Sequence, residues 1–233
     1  MHSNTVGFGE PTNMLYVFGF LFLIRGYVIM LVWNSYVLLG IWHCVSCAWV
    51  TCLYYSFMNN LCRNWNVLCW NVRGLNSEAR QRAVRQKIDE SHCAIACLQE
   101  TKCASFDSRM IKSFCPKRFD SFAFSPSLGA SGGILVVWNS SIFGGTLLQV
   151  QQFAVVIEFV SRHNNERWTL VVVYGPCQGE ARDNFVNWLY HLNIPVDENW
   201  LLLGDFNFLR SMDNRNLPGG DLNDMFIFNE IIG

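Results

Sequence analysis

The chain has 233 residues, 51% of them hydrophobic, and a formal net charge of -1. Only 15% are charged, against ~25% in an ordinary soluble domain. The near-neutral charge excludes a whole-chain basic field, so any nucleic-acid binding has to be local. Of the ten cysteines, Cys44 and Cys47 make a CxxC with no second pair nearby and Cys93, Cys97 and Cys103 lack paired zinc spacing, and a chain of this length can build a core without a disulfide framework. They read as buried or incidental thiols of a reducing compartment.

The charge deficit lies at the start, where residues 11–62 carry one charge, Arg25. Two apolar stretches, 14–33 and 36–58, each approach the ~20 residues that span a bilayer. Three readings stand for this leader. Membrane helices fit the hydropathy, although only Asn34-Ser35 separates two spans and Arg25 in mid-span costs ~2.5 kcal/mol or more. A signal peptide lacks its positive start, because residues 1–13 hold Glu10 and no Lys or Arg. The third reading is a non-domain extension over residues 1–62. The pair Cys44 and Cys47 falls inside it, and Met1-His2-Ser3 carries no lipidation motif.

From residue 66 the pattern becomes that of a folded domain. Val67 to Trp70 is an apolar strand with Asn71 at its end. Ser77 to Glu90 predicts a helix capped by Ser77, with Arg80, Arg82, Arg85 and Lys87 solvated and Ala83, Val84 and Ile88 inward. Ala94 to Leu98 is a buried strand that runs out at Glu100. Asp107 to Phe114 is a short helix closed by Pro116. Strands follow at Phe119 to Phe124 and, after the turn Ser131-Gly132-Gly133, at Ile134 to Trp138. Leu147 to Val150, Phe153 to Val160 and Trp168 to Val173 are hairpin-connected strands with a turn at Asn164-Asn165. Gly179 to Leu192 is an amphipathic helix with Phe185, Leu189 and Leu192 on one face. Trp200 to Leu203 is a strand that presents Asp205, and Asn223 to Ile232 is a final helix. The order of strands and helices suggests helices packed outside two facing sheets.

Five of these segments carry a resemblance. They are Trp70-Asn71-Val72-Arg73-Gly74-Leu75, Leu98-Gln99-Glu100-Thr101-Lys102, Gly132-Gly133-Ile134 with Trp138, Val173-Tyr174-Gly175-Pro176 and Gly204-Asp205-Phe206-Asn207. One alone is weak, but five in order are specific. Together they resemble the endonuclease/exonuclease/phosphatase family, and within it the endonuclease domains of plant LINE-type retroelements. The resemblance covers about residues 66–233. It implies a four-layered α/β sandwich, two facing mixed sheets flanked by helices. It also implies Mg²⁺-dependent cleavage of a phosphodiester, with Mn²⁺ as an alternative ion, DNA as substrate, and a nuclear or cytoplasmic setting.

By that resemblance Glu100 is the main metal ligand, with Asn71 and Asp205 beside it. Mg²⁺ is hard and takes few protein ligands. Asp205 would orient and deprotonate the attacking water, and Asn207 would stabilise charge on the phosphate oxygens. Tyr174 would donate from its hydroxyl, while Asn71 and Arg73 would contact phosphate. Each residue also has an ordinary structural reading. Glu100 could pair with Lys102, Asn71 and the Gly204–Asn207 stretch could form turns, Tyr174 could be a core aromatic, and Arg73 a solvated loop cation.

The same resemblance implies two later segments, a further Asp or Asn and a Ser-Asp-His. The histidines His2, His43, His92, His163 and His191 all precede Asp205. The expectation is therefore a C-terminally truncated domain with a partial site and impaired or absent activity. Two other functions stand beside it. One is a non-catalytic remnant or interaction module. The other is a lipid phosphodiesterase of the same fold, held at a membrane through residues 14–58. No protein partner is expected.

Overall fold

A computed structural model describes residues 21–24, 27–30, 52–58, 64–129, 131–176, 179–192, 199–208 and 222–232. Ahead of the expected domain lie strands β1 (Leu21–Ile24), β2 (Tyr27–Met30) and β3 (Cys52–Met58). The first two pair with each other, and β3 runs antiparallel to β4 (Asn64–Asn71), from Cys52 opposite Trp70 to Met58 opposite Asn64. A segment read as leader thus supplies an edge strand. The rest of both apolar stretches, with Cys44 and Cys47, lies outside the described residues. Among the described residues no helix is long and apolar enough to cross a membrane.

The remaining elements are α1 (Glu78–Ser91), β5 (Ile95–Gln99), α2 (Ser108–Phe114), β6 (Ser121–Ser125), β7 (Ile134–Trp138), β8 (Phe143–Val150), β9 (Ala154–Ser161), β10 (Arg167–Tyr174), α3 (Glu180–Tyr190), β11 (Trp200–Asp205) and α4 (Leu222–Ile232). They form two mixed sheets. The first has the order β3-β4-β5-β7-β6 and the second β11-β10-β9-β8. In each sheet one neighbouring pair is parallel, β4 with β5 and β10 with β11.

Strand parity explains why the central strands read as unbroken apolar runs, since successive side chains leave a strand on opposite faces. Ile95 and Cys97 of β5 enter the core between the sheets, whereas Ala96 and Leu98 face the α1–α2 layer. Ile134, Val136 and Trp138 of β7 divide from Leu135 and Val137 in the same way. In the second sheet Leu170 and Val172 of β10 and Leu201 and Leu203 of β11 face inward. Val171, Val173 and Leu202 face the α3–α4 layer. The result is the four-layered sandwich that the sequence led us to expect.

Two details of α1 differ from the sequence reading. Ser77 caps the helix as expected, its hydroxyl accepting from the Arg80 amide at 3.4 Å. Lys87, however, is buried and Ala83 exposed, because the inward stripe runs Val84, Lys87, Ile88 and Ser91. The apolar stem of Lys87 supplies the burial while its ammonium stands 3.8 Å from Glu90. The described free cysteines, Cys69, Cys93, Cys97, Cys103 and Cys115, are all buried. Burial pushes the thiol of Cys93 up to about 11 and that of Cys115 up to about 12.

Candidate functional site

The parity that fills the inter-sheet core continues past it at one rim. Asn71 follows Val67 and Cys69, Gln99 follows Ile95 and Cys97, Tyr174 follows Leu170 and Val172, and Asp205 follows Leu201 and Leu203. All four therefore point between the sheets at the C-terminal ends of their strands. Asn71 is the register partner of Gln99, and Tyr174 that of Asp205. Two parallel pairs, one from each sheet, thus meet end to end with polar side chains.

The meeting is made by hydrogen bonds. Asn71 Nδ2 donates to Asp205 Oδ2 at 2.9 Å, joining the sheets across 134 residues of sequence. The Asn207 amide donates to Asp205 Oδ1 at 3.1 Å, and Asn207 Nδ2 donates to the Gly175 carbonyl at 2.6 Å. Asn71 Oδ1 in turn accepts from the Arg73 amide at 3.2 Å. Both of its polar ends are therefore committed, which fixes which end faces Asp205.

Asp205 is only 8% exposed. Desolvation raises its pKa, and the charge of Glu100 adds to that rise. The bonds from Asn71 and Asn207 and the charge of Arg73 oppose it, and desolvation prevails. Glu100 turns out of β5 with φ +53° and pairs through Oε1 with Lys102 Nζ at 3.0 Å. The sequence alternative for Glu100, pairing with Lys102, is thus part of its geometry, and Oε2 is left outside that pair. Tyr174 is half-buried against the inter-sheet core, and Arg73 is exposed. Every residue singled out by the sequence lies at this one rim.

Backbone strain gathers here too. Arg73, Glu100, Lys102 and Asn207 all have φ between +52° and +56°. Non-glycine residues rarely adopt that region, and the cost of order 1 kcal/mol or more each persists only where neighbours enforce it.

Two residues that hold the site were not found by sequence reading. Gln99 is fully buried, donating from Nε2 to the Val173 carbonyl and accepting the Cys69 thiol at 3.6 Å. It ties the end of β5 to the end of β10. Its signal was its parity with Ile95 and Cys97, which put a carboxamide on an apolar face. Arg182 of α3 donates to the carbonyls of Asn207 at 3.0 Å and Pro176 at 3.3 Å, with its guanidinium 4.0 Å from the centre of the Phe208 ring. No local pattern marks it, because its partners come from two distant loops. Gln99→Leu should lower stability by about 1–3 kcal/mol through the unpaired buried carbonyl, read as a reduced urea midpoint at an unchanged slope.

The three described histidines stand at the opposite rim. His92 precedes β5, His163 lies in the β9–β10 turn and His191 follows α3 ahead of β11. Among the described residues no three His, Cys, Asp or Glu side chains gather about one point. The metal set expected from the sequence holds only two such side chains, Glu100 and Asp205, with Asn71 as the third member. The carboxylate oxygens of Glu100 and Asp205 suit a hard divalent ion, and the charge of Glu100 adds to the raised proton affinity of Asp205 until a cation offsets it.

The profile of the Endonuclease/Exonuclease/phosphatase family matches residues 68–228. The fold is similar to the AP endonuclease LMAP from Leishmania major, at 16% identity and TM-score 0.55 over 72% of this chain and 66% of that one. It is similar to an AP endonuclease from Archaeoglobus fulgidus at 16% identity and TM-score 0.54, over 71% and 69%. It also matches the endonuclease domain of TRAS1, a telomere-specific non-LTR retrotransposon, at 14% identity and TM-score 0.48 over 72% of each chain. The chain spans just under two thirds, 66%, of the length of the Leishmania structure. No curated protein matches.

Proposed function

The chain belongs to the endonuclease/exonuclease/phosphatase family, and from that premise we propose that it is a divalent-metal-dependent phosphodiester hydrolase of retroelement origin acting on DNA. The observation that carries this reading is the Asn71–Asp205 bond at 2.9 Å. It brings a buried carboxylate to the end of one sheet beside the acidic strand end of the other. The endonuclease names of the relatives favour a nucleic acid, and the retroelement-like motifs favour DNA.

Glu100, with Asn71 and Asp205, would hold Mg²⁺ or Mn²⁺. When bound, the ion supplies Lewis-acid neutralisation of phosphate charge. The chain supplies the rest. Asp205 has one lone pair on each oxygen committed to a donor and keeps others to accept a proton from water. Its raised proton affinity suits a general base. Asn71 and Asn207 hold that carboxylate in place, and Arg182 holds Asn207. Tyr174, on the same face, would donate its hydroxyl to a phosphate oxygen, and Arg73 would meet a neighbouring phosphate. Among the described residues no histidine stands at this rim to protonate the leaving oxygen. We therefore expect slow turnover.

Nicking of supercoiled plasmid by the full chain tests this. Slow nicking in Mg²⁺, stopped by EDTA and reduced by roughly 100-fold or more in Glu100→Ala, is the expected result. Equal background from both proteins would overturn it in favour of a non-catalytic interaction module.

A further inference from the structure

We propose that strands β1 and β3 are edge seals of the domain. They occupy the free sides of β11 and β4, the two strands that end on Asp205 and Asn71, and this holds residues 21–24 and 52–58 on the domain instead of in a bilayer. The inference goes beyond the hydrolase reading and stands whether or not the site cleaves DNA.

The two ends of the second sheet differ. At β8 the edge is open, with Leu147, Leu148 and Val150 at 46%, 54% and 44% exposed. At the other end, Leu201, Leu202 and Leu203 of β11 are at most 1% exposed. A strand so buried needs a neighbour on each side. β10 takes one side of β11 in the parallel pair. β1 takes the other, since Cα atoms of β1 and β11 approach within 8 Å. Sheets stacked face to face stand ~10 Å apart, so β1 lies along the edge of β11 and not over its face. β2 pairs with β1 in turn, from Met30 opposite Leu21 to Tyr27 opposite Ile24.

The first sheet repeats the arrangement. β5 takes one side of β4 in a parallel pair, and β3 takes the other in an antiparallel one. Val67, Leu68 and Cys69 of β4 are at most 2% exposed. The two sealed strands are those joined by the Asn71–Asp205 bond, so both seals flank the candidate site. Neither segment contains a charged residue, and each covers an edge that would otherwise stand open to another chain. A membrane helix would satisfy the backbone of 52–58 within its own segment. The ladder to β4 commits alternate groups of the same backbone between strands, so the two states exclude each other.

The test is amide hydrogen exchange of the full chain with the adjacent variants Tyr54→Pro and Tyr55→Pro, whose register partners are Leu68 and Val67. Successive N–H groups of a strand leave on opposite sides, and an edge strand has a neighbour on one side only. Just one of the two prolines therefore removes a bond to β4. That variant should exchange the amides of 67–70 roughly tenfold faster or more, while its neighbour stays near wild type. Loss confined to one proline supports the seal even where it unfolds the domain, because the other variant bears the same ring one residue away. Replacing residues 21–24 by Gly-Ser-Gly-Ser should speed exchange at 201–204 and spare 67–70. Phosphatidylcholine vesicles added to wild type should change neither segment. Equal effects of the two prolines, or unchanged exchange at 201–204 in the replacement, would overturn the seals. Faster exchange at 67–70 on adding vesicles would overturn them in favour of a membrane segment.

Discussion

Asp205→Asn should cut phosphodiester cleavage by roughly 10²–10⁴-fold while raising the melting temperature at neutral pH. The two effects share one cause, a carboxylate kept where water is scarce. Burial and the nearby charge of Glu100 raise its pKa above the ordinary 3.8, even though Asn71, Asn207 and Arg73 all pull the other way. The folded state therefore retains this proton in a window where the unfolded chain has released it. Stability falls as pH rises from 3.8 through the folded value, and the loss is complete above it. Asparagine cannot ionise and escapes that loss. It does forfeit one of the two donated bonds, because one end of its carboxamide must face a donor. The direction of the pKa shift shows that desolvation outweighs those bonds. In metal-free calorimetry the variant should melt above wild type at neutral pH, with the gap closing as pH falls through that window. A variant that loses rate and melting temperature together would make Asp205 a structural residue and remove it from the catalytic assignment.

Gly204→Ala should leave little folded protein. A Cβ at Gly204 would stand 1.9 Å from the Val173 carbonyl oxygen and 2.7 Å from both the Val173 carbonyl carbon and Gln99 Nε2. Val173 is the register partner of Gly204 in the parallel pair, so the obstacle is backbone rather than the end of a flexible side chain. Relief requires parting β10 from β11 or withdrawing Gln99, and either opens the sandwich just beneath Asp205. Overpacking and a lost buried hydrogen bond together cost about 3–5 kcal/mol, a large share of a typical ~5–15 kcal/mol stability. Gly129→Ala is the comparison. That glycine also has positive φ, but nothing lies within 4 Å of its would-be Cβ, so its cost should stay near 1 kcal/mol. Equal urea midpoints for the two variants would refute the clash.

Much of the fold was legible because two apolar faces per strand leave a simple trace. β5, β7, β10 and β11 are apolar at nearly every position, which happens only when a sheet is covered on both sides. The cap at Ser77 was equally readable, its hydroxyl accepting from the amide three residues on at 3.4 Å. Asp107, read as the first helical residue, is the cap of α2 instead, accepting from the Met110 amide at 2.7 Å. The inward face of α1 was misjudged because Lys87 counts as polar by its tip while it packs by its stem. The strand Cys52–Met58 was hidden inside an apolar run whose length suited a membrane helix as well as a sheet edge.

For the site, the sequence by itself determined the chemistry at each strand end: an amide at Asn71, an acid at Glu100, a phenol at Tyr174, and an acid and an amide at Asp205 and Asn207. Those identities sit beside local apolar runs, and local order is what a sequence records. Only the tertiary structure decided that these ends meet. The pairing of β4 with β5 and of β10 with β11, and the facing of the two sheets, bring Asn71 to Asp205 and leave the described histidines at the far rim. The burial that raises the proton affinity of Asp205 belongs to no single segment, since it exists only when both sheets close over the same core. Gln99 and Arg182 stayed unread for the same reason, as each acts through carbonyls that the chain reaches only after folding.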